Sequence, residues 1–442
     1  MKLTEEERRQ VFMQTILIIF SFTFFLALLG CATTTPTDAG KQTALSGNQE
    51  TVHEAGDPET QLNHAISLIE KGKLDEAIDQ LLKTIEKNPN YDLAYSNLGA
   101  VYYHKGKLDK ATEALKKAIE LNPGDRNAHS SLGNLYSDSK KYDEAIAEHR
   151  KVIELAPNDA KGFVDLGVAF SQKGDIAEGI NQYKRALSIN PYHPLARKNL
   201  GHSYYRMKKW SEAIDELLLA RDIDAWWPGL EESIRFTLRE AYPDLEKWVK
   251  EKPMDSLSHY YLAYAYEFKG EWKKAMEEII KAIELNRSKG EFYKGKALFY
   301  SSDKKPNEAI TALRECITID PSNWACYNDL GGEYDRIEKP KGALEMIIQA
   351  SSIAPDVISV QLNLGSAYFN NGEYQKSIAP LKRALTLSER NNPRIDLILA
   401  VAYFKLQEYD MAWKHVRRAE KMGHPDASRL MKDLKRVSKE PQ

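Results

Sequence analysis

The sequence predicts an all-α fold, an α-solenoid (superhelix) of about ten helix-turn-helix repeats with one degenerate unit and a C-terminal capping helix. Three observations carry that expectation: a 34-residue period, two positions in the period reserved for small residues, and a proline near its end. At the eighth position stand Gly99, Gly133, Gly167, Gly201, Gly331 and Gly365, with Ala65, Ala263, Ala297 and Ala400 in the other units. At the twentieth stand Ala77, Ala111, Ala145, Gly179, Ala213, Ala275, Ala309, Ala343, Ser377 and Ala412. Pro89, Pro123, Pro157, Pro191, Pro321 and Pro355 hold the thirty-second.

Each residue type has a physical reason. Positions 4, 7, 8 and 11 form an i, i+3, i+4, i+7 stripe on a first helix, as Tyr95, Leu98, Gly99 and Tyr102 do. Positions 8 and 20 lie where the two helices of a unit cross, and a large side chain there overpacks the crossing by ~1–3 kcal/mol. Gly72, Gly106, Gly174, Gly270 and Gly372 at position 15 close the turn between helices. The position-32 proline lacks an amide donor and bars its predecessor from the helical region, so each second helix stops in phase. This combination resembles the tetratricopeptide-repeat (TPR) family.

In order, the units run 58–91, 92–125, 126–159, 160–193 and 194–227, then 256–289, 290–323, 324–357, 358–391 and 393 to about 424. Residues 228–255 fall short of a repeat and lack the small-residue pair. They read as a degenerate helical unit of two short helices split near Pro243, and as the divide between a lobe of units 1–5 and a lobe of units 6–10. Residues 425–442 read as a basic capping helix and tail, with Leu430, Met431 and Leu434 on one side.

Ahead of the repeats, a polar start with Lys2, Arg8 and Arg9 leads into an apolar run, Ile16 to Leu29, too short to span a bilayer. The run ends in Leu28-Leu29-Gly30-Cys31, which resembles a bacterial lipobox. That resemblance implies a signal peptide over 1–30 and a diacylglyceryl group on Cys31. It also implies placement at the outer membrane facing the periplasm; an uncleaved inner-membrane anchor is the alternative. Residues 31–57 then form a tether, with Thr, Ser, Gly and Pro bias and a reach of roughly 28 Å. Cys316 and Cys326 have no metal-ligand spacing and read either as buried small hydrophobes or as an oxidisable pair.

Composition narrows function. The 62 Lys and Arg balance 64 Asp and Glu, without the basic excess of a nucleic-acid binder. Phosphate loops, nucleophile elbows and paired metal-binding histidines do not occur. No enzyme activity, cofactor, metal or small-molecule substrate is expected. What a TPR array implies is a concave groove lined by positions 2, 5, 6, 9, 12 and 13 of the first helices, binding proteins or peptides. Asn97, Asp165, Asn199, Asp329 and Asn363 form a partial ladder at position 6, flanked by Asn134 and His202. They read either as hydrogen-bonding partners for a peptide backbone or as solvated polar residues. Tyr260, Tyr261, Tyr264 and Phe268 form a second candidate, as hot-spot aromatics or as filler beside the break. The expectation is a membrane-tethered scaffold or adaptor of the bacterial cell envelope, with a self-associating structural solenoid as the alternative.

Overall fold

The computed structural model describes residues 57–388 and 392–440. The expected signal peptide, the lipid-acceptor Cys31 and the tether up to residue 56 lie outside the described residues. The described chain is built of α-helices, and it divides into two compact units, one ending at Pro191 and one starting at Tyr192.

The first unit holds four helix pairs: α1 (Pro58–Glu70) with α2 (Leu74–Lys87), α3 (Asp92–His104) with α4 (Leu108–Leu121), α5 (Arg126–Asp138) with α6 (Tyr142–Leu155), and α7 (Ala160–Lys173) with α8 (Ile176–Ile189). The second unit opens with α9 (Pro194–Arg206) and α10 (Trp210–Ile223), followed by the single helix α11 (Leu230–Glu251). It continues with the pairs α12 (Ser256–Phe268) and α13 (Trp272–Leu285), α14 (Gly290–Ser302) and α15 (Pro306–Ile319), and α16 (Trp324–Arg336) and α17 (Pro340–Ile353). The pairs α18 (Ile358–Asn370) with α19 (Tyr374–Leu387) and α20 (Pro393–Lys405) with α21 (Tyr409–Lys421) follow, and α22 (Ala427–Val437) caps the end.

Local signals explain the helix ends. The Asp125 and Asp159 side chains accept amide hydrogens at the starts of α5 and α7, and Asp255 and Asn323 do so at α12 and α16. Second helices stop two residues before the repeat proline, as α4 stops at Leu121 ahead of Pro123. Where position 15 lacks glycine, Lys140, Lys208, Lys304, Glu338 and Gln407 take the left-handed conformation themselves.

The small-residue rule holds with one refinement. The position-20 side chains are buried, and the tight neighbour of position 8 is position 24. A Cβ on Gly99 would lie 2.5 Å from Leu115 Cγ, and one on Gly365 would lie 2.5 Å from Leu381 Cγ.

Two expectations are corrected, and one alternative left open by the sequence is resolved. Residues 230–251 form one helix rather than two. Leu230, Ile234, Leu238, Ala241 and Leu245 make a continuous buried stripe, and Trp210 Nε1 donates to Asp244 Oδ2 at 2.6 Å beside the proline. That packing outweighs the ~3 kcal/mol cost of a proline within a helix. The divide between units falls at 191/192, not 227/228, because Ile214, Leu217 and Leu218 of α10 share a core with α11 and α12. Cys316 and Cys326 are joined as a disulfide, tying α15 to α16 with both cysteines fully buried.

Candidate functional site

First helices of successive repeats pack on one another, α1 on α3, α3 on α5 and α5 on α7, and in the second unit α12 on α14 and α16 on α18. The first helices therefore form the inner face of each unit, where a groove would be lined.

On the first unit's inner face, Asn97 is half-buried and its Nδ2 donates to Leu93 O at 2.7 Å. Asn134 and Asp165 are buried, 5% and 6% exposed, because neighbouring first helices close over them. They support the inner wall instead of presenting free side chains, which corrects the expectation of a fully open polar ladder. The open part lies one turn further along. Tyr103 OH on α3 donates to the Asp138 carboxylate on α5, with His104 beside it, ring centroids 6.3 Å apart. Burial, then the Asp138 charge, pushes the Tyr103 hydroxyl far above its ordinary value. Burial also raises the Asp138 carboxyl and lowers His104, which is neutral at neutral pH. Sequence reasoning missed this Tyr–His–Asp group. Its signal was present, since all three occupy positions 12 and 13 of the repeat.

In the second unit the expected aromatic groove is core. Tyr260, Tyr261 and Tyr264 are 6%, 4% and 3% exposed. Tyr260 packs at 5.1 Å on both Tyr264 and Phe292, and Tyr264 at 5.2 Å on Phe299. The cause is the neighbouring α14, which carries small Gly295 where a bulky residue would hold these rings out. The Tyr261 hydroxyl donates to Asp215 at 2.7 Å, and burial lifts that carboxyl to about 6. Phe268 is half-buried under Arg235, 5.7 Å from its ring.

The remaining candidates sit in different surroundings. Asn199 is 4% exposed and its amide finds no hydrogen-bond partner. His202, one turn on, is pushed to about 3 by burial and by Lys198, so its ring is neutral. The Asn363 Nδ2 donates to Asn328 Oδ1 at 3.0 Å. Asp329 is reached by solvent yet walled by protein, and burial, partly offset by Lys294, lifts its carboxyl to about 6. Lys294 pairs with Asp222 of α10, joining residues far apart in the chain. Burial pulls its ammonium down, but Asp222, Asp329 and Tyr264 together hold it above the usual value.

Among the described residues no cluster of three or more His, Cys, Asp or Glu is arranged to hold a metal ion, and no helix is long and apolar enough to cross a membrane. Fold and inner face together define an α-helical repeat scaffold that engages other proteins.

Profiles described as tetratricopeptide repeat match residues 93–125, 291–323 and 362–428, and one described as TPR repeat matches 67–106, 133–174 and 169–208. These stretches cover more than half of the chain, and the chain belongs to the tetratricopeptide-repeat family. No curated protein matches it. Among solved structures, a crystal structure of MamA is 26% identical over 35% of this chain and 91% of its own, with a TM-score of 0.34. Yeast Tom70 is 14% identical over 86% of this chain and 95% of its own, with a TM-score of 0.40. YrrB, titled a TPR protein with an unusual peptide-binding site, is 20% identical over 47% and 92%, with a TM-score of 0.31.

Proposed function

We propose that this protein is an envelope scaffold that grips an extended segment of a partner on the inner face of its first unit. The observation that carries the reading is the Tyr103–Asp138 pair with His104. It supplies an aromatic surface, a carboxylate and a neutral imidazole on two adjacent first helices. Half-buried Asn97, nearly two turns earlier on α3, adds an amide suited to a peptide backbone. A neutral imidazole and a carboxylate both accept hydrogen bonds, so the site favours a segment offering amide or cationic donors. Tagged full-length chain carrying Tyr103→Ala and Asp138→Ala should lose most co-purifying protein, whereas Lys117→Ala on the outer face should not. Equal recovery from both variants refutes the assignment.

The envelope half of the proposal rests on two independent features. The sequence around Cys31 has the pattern of a lipid-acceptor site. The fully buried Cys316–Cys326 disulfide suits an oxidising compartment outside the cytoplasm. Metabolic labelling with a fatty acid should mark the wild-type chain and not Cys31→Ala, and equal labelling of both would sink the lipid anchor.

A further inference from the structure

In a solenoid each repeat ordinarily touches only its neighbours. The second unit departs from that rule: the C-terminal end of α10, in the fifth repeat, packs against α18 in the ninth. Four contacts make this closure. Asp222 pairs with Lys294 of α14, and its carbonyl accepts from Ser359 Oγ of α18 at 2.6 Å. Ile223, fully buried, enters an apolar pocket that includes Trp324, Ala325, Val357 and Val360. Trp226, 56% exposed, lies under Arg394 of α20, 4.5 Å from ring centroid to guanidinium carbon. Lys294, Ser359 and Arg394 belong to first helices, and the pocket combines first-helix residues and an entry loop with Ala350 of α17, so the segment lies largely on the inner face of repeats seven to ten. Arg221, also turned to this interior, feels Asp222, Tyr264, Glu231 and Asp329.

The segment meets this face as a bound peptide would: one carboxylate to a lysine, one main-chain carbonyl to a hydroxyl, one aliphatic side chain in a pocket, one indole under a guanidinium. We propose that residues 221–226 are an autoinhibitory latch, occupying the second unit's inner face until a partner segment displaces them. The displacing segment carries the same chemistry, an acidic residue followed by an aliphatic one and, three positions later, an aromatic.

The composition of the latch suits reversal. A largely buried ion pair sits near break-even against its own desolvation, and an exposed cation–aromatic contact adds little. Ile223 is the only fully buried apolar anchor the segment itself supplies. The cores of the flanking repeats, in contrast, are continuous apolar clusters, so the latch is the part of this closure easiest to open.

The test uses full-length protein and a fluorescein-labelled peptide of residues 219–228, followed by anisotropy. Asp222→Ala loosens the latch while leaving Lys294, Ser359, Arg394 and the pocket intact, so it should bind the peptide about tenfold tighter than wild type. Carbodiimide condensation of the Asp222 carboxylate with the Lys294 amine, which turns the existing ion pair into an amide bond, should lock the latch and abolish binding. The same peptide bearing Asp222→Ala should bind none of them well. If Asp222→Ala loses helical circular dichroism, Trp226→Ala carries the same test, removing an exposed contact from the latch side and leaving every receiving group intact. Hydrogen exchange should rise in 219–227 and 358–370 of the loosened variant and stay unchanged in α12 and α13. Equal peptide affinity in wild type, loosened and locked proteins, or a rise in exchange spread over the whole unit, overturns the proposal.

Discussion

Replacing His149 by leucine should stabilise the first unit, for reasons the repeat frame makes quantitative. His149 holds position 24 of its unit, where Leu81, Leu115 and Leu217 stand in others, and it faces Gly133, whose added Cβ would lie 2.7 Å from the ring. It is 1% exposed and its Nδ1 has no hydrogen-bond partner. A buried unsatisfied nitrogen costs about 1–3 kcal/mol, and leucine is close in volume, so His149→Leu should gain about 2 kcal/mol at pH 7. A second signature comes from titration. Burial, with a smaller push from Lys161, lowers the imidazole to about 3 against an ordinary 6.5. The depressed value means that the unfolded chain binds the proton first as pH falls. Stability is therefore complete above about 6.5 and lost progressively toward 3, by about 2 kcal/mol at pH 5. Urea denaturation followed by circular dichroism at pH 7 and pH 5 reads both effects. The leucine variant should be more stable at pH 7 and should lose less on acidification. A variant no more stable than wild type, with the same pH slope, would show that His149 is well bonded and the reasoning wrong.

Four further outcomes are expected. Gly167→Ala places a Cβ 2.6 Å from Tyr183 Cε1, and the cost should exceed the helix-propensity gain of about 1 kcal/mol, leaving the first unit about 1–2 kcal/mol less stable in urea. Cys316→Ser with Cys326→Ser should cost the second unit about 2–3 kcal/mol in urea, close to the effect of adding a reductant to wild type. Lys208→Gly relieves a left-handed lysine at φ 56° and should stabilise by about 1 kcal/mol in thermal melts. Asp215, raised to about 6 by burial, keeps its proton in the folded state above the unfolded 3.8, so its contribution is present at low pH and lost as pH rises through about 6. The carboxyl is walled by protein, yet the residue as a whole is reached by solvent that screens the effect, so Asp215→Asn should flatten the pH 5–7 stability slope by about 1 kcal/mol or less.

The repeat fold was legible because small residues at positions 8 and 20, and proline at 32, answer to constraints within one unit. Gly99 against Leu115 needs no knowledge of the rest of the chain. The capping helix was legible for the same reason: Leu430 and Leu434 are buried on its apolar side, and Lys435 lies off it. What failed depended on contacts across repeats. Tyr260 and Tyr264 occupy groove positions of the frame, but α14 closes over them with Phe292 and Phe299, a pairing no single repeat encodes. Pro243 marked a break by local rules, and the long stripe from Leu230 to Leu245 overrode it. The fifth repeat looked like the end of one lobe, because nothing in Asp222 or Ile223 announces that α18 will meet them. The Tyr103–His104–Asp138 group sits at positions 12 and 13 of the frame, but the pairing of Tyr103 with Asp138 is made across two repeats and no single unit encodes it.

The central claim is that protein partners use the inner face of the first unit, while that of the second is occupied by its own latch. It is tested most directly by placing one photoreactive residue at Tyr103, at Asp329 or at the outer-face Lys117 of the full-length protein and irradiating intact cells. Capture of partner protein at position 103, with neither of the other two positions capturing, is the predicted result. Capture at 329 in the wild-type latch background, or at 117 as strongly as at 103, would contradict it.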